Sequence, residues 1–280
     1  MAANRSPRAS TAVVHAVLLA YTVIALFPIV LVLFNAFKSR KAIFSQPLAP
    51  PGSDTFSLIG FDTVLTRSDF GLYFGNSLTV TLVTLFLVVF LGAMAAWALS
   101  EYSFKGNAVL ALYLAIGIMI PIRLGTVSIL RLVVSLDLIN TLAALILVYT
   151  AMGLPLSIFI LSEFMRQIPK ELKDSARCDG VGEYRIFFRI ILPLVRPALA
   201  TVAVFTMVPI WNDLWFPLIL APGDGTRTIT LGVQQFVGQY VTDWNAVLAS
   251  LTLAIIPVLI LYAFFSRQLI AGLTQGAVKG

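Results

Sequence analysis

The sequence predicts an all-α polytopic membrane protein with six transmembrane helices, and three observations carry that prediction. Of its 280 residues 59% are hydrophobic and 11% charged, and the mean hydropathy of +0.94 lies far outside the range of a soluble domain. Apolar runs long enough to cross about 30 Å of hydrocarbon as helix recur along the chain. One polar insert, residues 163–196, interrupts the second half and carries 7 of the 19 basic residues.

A short polar N-terminal segment, residues 1–11, precedes the first run, Ala12 to Phe34. That run is too long for a signal-peptide core and no small-x-small cleavage site closes it, so it is read as retained. The second span is Ser77 to Leu99, where Gly92 and Ala96 form a small-x3-small pair suited to helix packing. The third, Ala108 to Ile122, is the weakest. Pro121, Arg123 and Arg131 interrupt it, so a kink and an amphipathic continuation toward Leu136 are expected. Leu138 to Leu161, Ala198 to Leu220 and Ala246 to Phe265 supply the remaining spans. The spanning domain thus covers 12–267, and a glycine-rich tail, 268–280, follows. An even number of spans puts both termini on one side. With that side cytoplasmic, 12 of the 19 Lys and Arg residues fall inside, as the positive-inside rule requires. The net charge of +6 therefore reads as topology and lipid-headgroup contact, not nucleic-acid binding.

Catalytic chemistry has little to stand on. His15 and Cys178 are the only residues of their kinds and cannot form a disulfide framework or a metal cluster. No Gly-x-x-x-x-Gly-Lys-Ser/Thr loop occurs, so the chain lacks a recognisable phosphate cradle. No enzymatic activity and no bound cofactor are expected, and any work driven by nucleotide needs another subunit. The insert itself reads as a short helix, Lys170 to Cys178, opened by Pro169 and broken at Asp179-Gly180. A second helical run from Glu183 carries Ile186, Phe187, Ile190 and Ile191, and Pro193 and Pro197 end or bend it. Ser175 and Ala176 are small enough to let a partner approach the backbone, while Lys173, Asp174 and Arg177 can orient it. The alternative is an interfacial amphipathic helix that only anchors the loop, with Arg185 and Arg189 on headgroups.

The spacing Asp174-Ser175-Ala176, three residues, Gly180, nine residues, Ile190-Ile191-Leu192-Pro193 resembles the Glu-Ala-Ala-x3-Gly-x9-Ile-x-Leu-Pro signature of membrane subunits of ATP-binding-cassette importers. Asp stands for Glu and Ser for Ala, which preserves charge and smallness. Phe37-Lys38-Ser39, Asn76-Ser77-Leu78, Trp211-Asn212-Asp213, Thr242-Asp243-Trp244 and the ending Gly272 to Gly280 are similar to the maltose-type carbohydrate-uptake permeases, specifically to the smaller six-span partner. The resemblance implies a type I importer fold in the bacterial cytoplasmic membrane. It implies a second, different permease subunit, two ATPase subunits that use ATP and magnesium, and an extracytoplasmic solute-binding protein. Residues Asp174, Ser175, Ala176, Arg177, Gly180, Ile190, Leu192 and Pro193 would then couple ATPase closure to the spans. The run from Glu183 into the fifth span would act as a continuous stiff connection. Gln275, Gly276 and Lys279 of the tail would reach the ATPase subunits.

Asn212 and Asp213 are the clearest polar interruption of a span and are candidates for the solute path or for interhelical structure. Flanking Trp211 could stack on a sugar ring or belong to an aromatic belt. Arg123 reads either as a hint of an anionic solute or as a side chain reaching the outer interface. Gln234, Gln235, Gln239 and Tyr240 lie in the outer segment Pro222 to Trp244, which resembles the loop that enters the binding protein. An ATP-independent secondary transporter or channel subunit is the alternative function. It would be expected to show an internal repeat and paired broken helices, and the sequence offers neither an inverted repeat nor a second polar midplane cluster.

Overall fold

The computed structural model describes the backbone of residues 7–238 and 241–277. Among these residues the structure is helical, with only two isolated bridges, Lys38 with Phe56 and Val237 with Thr242. The helices are α1 (Pro7–Ala36), α2 (Arg40–Ser45), α3 (Ile59–Arg67), α4 (Phe70–Glu101), α5 (Asn107–Met119), α6 (Thr126–Ser135), α7 (Leu142–Arg166), α8 (Lys170–Cys178), α9 (Glu183–Ile186), α10 (Leu192–Leu194), α11 (Arg196–Asn212), α12 (Trp215–Leu220), α13 (Ile229–Val233) and α14 (Trp244–Ala277). Three of them, over residues 11–36, 70–101 and 142–166, are long and apolar enough to cross a membrane. Two further apolar stretches are bent pairs: α5 with residues 122–135, by 88°, and residues 183–194 with α11, by 75°.

The chain divides into two compact units. The first comprises the chain up to residue 70 with residues 233–256. In it Phe37 packs on Phe61 and stacks with Phe56, at centroid distances of 4.8 and 6.2 Å. Ser39 N–H donates to the Thr55 carbonyl, and Asn245 donates to the Lys38 carbonyl. Lys38 is fully buried, its ammonium donating to Asn35 and to the Gln46 carbonyl. Burial lowers its pKa from the ordinary lysine value because desolvation disfavours the charged form. Asp243 caps α14 by accepting the Ala246 N–H at 3.2 Å.

The second unit, residues 71–232 with 257–280, has two apolar cores at opposite ends of α4 and α7. Val80, Ala144, Leu145, Tyr149, Phe216 and Leu220 form one. Ala93, Ala96, Trp97, Leu161, Met165, Ala176, Ile186, Phe187 and Ile191 contribute to the other. Within the second core α4 and α7 approach closely: a Cβ on Gly92 would overlap the Ser157 side chain, and Ser157 Oγ donates to the Val88 carbonyl at 3.1 Å.

Several boundaries differ from expectation. The fourth span starts at Leu142 because Thr141 caps it, its hydroxyl accepting the Ala144 N–H. It then runs on to Arg166, absorbing Glu163, which pairs with Arg166 one turn away at 2.8 Å. The kink expected at Pro121 is present: α5 stops before Ile120-Pro121, a 3-10 turn follows and α6 continues to Ser135. The fifth span is broken at Asp213 into α11 and α12. The connection from Glu183 into α11 is an elbow of 75° instead of a continuous rod. A π-turn over Phe187–Ile191 precedes Pro193, which has no N–H to continue the helix and whose ring displaces the carbonyl four residues back. The segment from 268 continues α14 as far as Ala277.

Candidate functional site

The insert folds as its local sequence dictates and is held by ion pairs that its own sequence does not announce. Pro169 precedes α8, and Gly180 ends it at φ +75, a conformation that costs glycine little. Gly180 N–H donates to the Arg177 carbonyl and Val181 N–H to the Ala176 carbonyl, both at 3.0 Å, which is the complete Schellman pattern. Ala176 is buried among Trp97, Met165, Ile186 and Phe187, whereas Asp174, Ser175, Cys178 and Gly180 are exposed. A Cβ on Gly180 would meet nothing within 4 Å. The outward face of α8 is therefore small, polar and open.

Behind that face lies a charge cluster. Lys173 Nζ donates to Glu101 Oε2 at 2.5 Å and sits 5.6 Å from the Trp97 ring centre. Arg177 donates to Glu101 Oε1 at 2.6 Å, to Glu183 at 2.8 Å and to Asp174 at 3.0 Å. Tyr102 donates to Glu183 at 2.7 Å. Bonding to Glu183 and Glu101 holds the Arg177 pKa above its ordinary value against the opposing effect of burial. Arg177 and then Tyr102 hold Glu183 below the usual carboxylate value. A cleft of about 1160 Å³ opens beside the cluster, lined by residues that include Glu101, Tyr102, Ser103, Lys170, Lys173 and Asp174. Further along the signature, Ile190 and Leu192 are partly buried against the same core as Ile191, and Pro193 lies within α10.

At the other end of this unit the sequence candidates separate. Asp213 sits at the break between α11 and α12, accepts the Tyr149 hydroxyl at 2.7 Å and the Phe216 N–H at 3.1 Å, and lies 3.6 Å from Arg123. Arg123 also lies over the Trp215 ring, 5.9 Å from its centre. Arg123, Tyr149, Asp213 and Phe216 line, with Thr206 and Met152, a cavity of about 230 Å³. Trp211 is not among its lining residues: it is buried edge-to-face on Phe74. Asn212 is exposed and bonds the Val208 carbonyl of its own helix. Tyr149 was not singled out from sequence, since a tyrosine within an apolar run carries no local mark of its partner 64 positions away. Asn76, a family-like residue, donates to the Gly225 and Arg227 carbonyls, and Ser77 accepts the Ile229 N–H, bracing the segment after α12. Gln234 and Gln235 are exposed in a 3-10 turn. Gln275 and Gly276 fall in the last turn of α14. Gln239, Tyr240 and Lys279 lie outside the described residues.

A helical chain with several apolar helices long enough to span a bilayer and a helical polar insert defines a membrane-embedded protein, and comparison with known proteins gives its family. Residues 88–275 match the family of binding-protein-dependent transport system inner membrane components, and the chain belongs to that family. It is similar to the diacetylchitobiose uptake system permease protein NgcG of Streptomyces coelicolor, with 32% identity over 99% of this chain and 92% of the relative. It is 34% identical to the arabinooligosaccharides transport system permease protein AraQ of Halalkalibacterium halodurans, covering 92% of each chain. Among solved structures it shares its fold with a chain of a bacterial ABC transporter involved in the import of the acidic polysaccharide alginate. The TM-score is 0.79 at 20% identity, over 94% of this chain and 98% of that one. The fold is thus that of a type I importer permease, and the protein is a membrane component of a transport system.

Proposed function

We propose that the protein is the six-span permease subunit of an ATP-driven importer for a sugar, oligosaccharide or sugar derivative, with both termini cytoplasmic. Its partners are a second, different permease, two ATPase subunits that bind ATP and magnesium, and an extracytoplasmic binding protein. The carbohydrate class is supported by relatives named for diacetylchitobiose and arabinooligosaccharides. The observation that carries the coupling role is α8: a helix whose inner face is ion-paired and packed while its Asp174-Ser175 face and Gly180 stand open. In this reading α8 seats in a cleft of an ATPase subunit, and closure of the ATPase pair moves the spans through the packed elbow of Ile186, Phe187, Ile191 and Val195. Movement of a rigid element against a packed core is a recognised switching mode. Gln275, Gly276 and Lys279 reach the ATPase subunits, and Gln234, Gln235, Gln239 and Tyr240 meet the binding protein. Solute passes the cavity at Arg123, Tyr149 and Asp213, where a carboxylate and a hydroxyl can exchange hydrogen bonds with sugar hydroxyls.

Gly180→Trp, placed in the complete transporter in proteoliposomes, tests the docking. Transport is expected to collapse while ATP hydrolysis persists or falls independently and the permease remains in the membrane. Gly180→Asn, which tolerates the left-handed backbone, is expected to retain most transport. Normal uptake by the Trp variant overturns the docking.

A further inference from the structure

We infer that Glu101 is a positioning residue that couples α8 to the second span, so that force applied at the insert enters α4 directly and not only through the elbow into α11. The inference rests on the proposed seating of α8 on an ATPase subunit. Glu101 is the last residue of α4, 72 positions before Lys173, and its side chain is only 9% exposed. Each carboxylate oxygen takes a different cation of α8: Oε2 takes Lys173 and Oε1 takes Arg177. Lys173 and Arg177 lie one turn apart on one face, so a single carboxylate fixes both the position and the rotation of the helix.

The geometry of the cations shows which of them serves this role alone. Arg177 divides its donors among Glu101, Glu183 and Asp174, of which the last two belong to the insert itself. Lys173 is paired with Glu101, its side chain is 6% exposed, and its ammonium lies over Trp97, also on α4. Lys173 therefore ties the insert to α4 with both its charge and its ring contact. Covalently α8 is attached through two turns, Gln167 to Pro169 and Asp179 to Gly182, and turns transmit torque poorly. The Glu101–Lys173 half of the clamp, with both side chains under 10% exposed, has less slack, because moving the helix off it leaves a buried charge unpaired.

The complete transporter, reconstituted with its partner subunits, supplies the test through the number of solutes imported per ATP hydrolysed. Glu101→Gln is expected to lower that ratio by about 2- to 30-fold, the range over which single substitutions shift coupling, with ATPase activity retained. Lys173→Met removes the cation from both Glu101 and the Trp97 ring, keeps an unbranched apolar stem of similar bulk, and leaves Glu101 its bond to Arg177. It therefore tolerates folding where the glutamine variant fails, and is expected to lower the ratio in the same direction. In a double-mutant cycle the two substitutions are expected to be non-additive, since they break one contact. An unchanged ratio in an assembled Lys173→Met complex, or strict additivity, overturns the clamp. A Gly180→Trp transporter that imports normally overturns instead the seating on which the clamp depends, so the two failures are told apart.

Discussion

Asp213 ends one helix and begins another. Its carboxylate accepts the N–H groups of Trp215 and Phe216, serving as the cap of α12, and takes the Tyr149 hydroxyl from α7. Only 10% of its side chain is exposed, whereas its cationic neighbour Arg123 is 68% exposed. The two members of one ion pair should therefore differ in what they contribute. Asp213→Ala removes a cap and leaves a buried hydroxyl without its acceptor, at a cost of about 2–3 kcal/mol. Arg123→Ala removes one exposed charge and costs below about 1 kcal/mol. Thermal unfolding of the purified transporter in detergent measures both, and equal losses would show that Asp213 acts only through Arg123. The neighbouring carboxylate also changes the meaning of Arg123: with Asp213 3.6 Å away, its charge is partly balanced within the protein, which weakens a reading of it as a lone anion selector.

For the helices, what the sequence made legible was what neighbouring residues decide. Pro169 and Asp179-Gly180 lie beside the ends they create, and α8 was found within its expected bounds. The kink at Pro121 was likewise local. The elbow at Val195 was not, because Pro193 and Pro197 permit either a bend or an end and the choice is made by packing of Ile191, Val195 and Ala198 in the core. Glu101 escaped notice for a related reason: a carboxylate closing an apolar run looks like a solvated helix end until Lys173 is brought to it. A usable signal was present in Lys173 itself, which lies three residues before buried Ala176 and so shares its face. The ion pairs give α8 a pH dependence of definite sign. Glu183 is held below its ordinary value of 4.5 in the folded state, so its contribution is fully present above that value and lost as pH falls through the lowered one. Arg177, raised from an already high value, stays protonated throughout. Amide-exchange protection of residues 170–178, corrected for intrinsic rates, is expected to be level around neutrality and to fall only in acid below the ordinary glutamate value. Loss between neutrality and mild acid would mean that another group controls the helix.

Across the whole molecule the dominant fact is apolar surface turned outward. The spanning window of α1 has none of its residues buried within the chain, and large apolar side chains along it, such as Ile24 at 72% exposed, have no place in water. Hydrocarbon or a second subunit must cover them, which agrees with the inner-membrane family to which the chain belongs. The polar insert lies on one side of that membrane, and a native residue reports which. Cys178 is the sole cysteine of the sequence and is exposed at the end of α8, beside the face proposed to meet the ATPase. In the proposed topology, a membrane-impermeant maleimide is expected to label it in inverted vesicles and to leave it unlabelled in intact spheroplasts. No engineered cysteine is needed, so the topology is read from the natural chain. Docking adds a second expectation: labelling in inverted vesicles should slow when the ATPase subunits are present and recover when they are stripped away. Ready labelling in intact spheroplasts would reverse the orientation, and with it place α8 where no ATPase could push it.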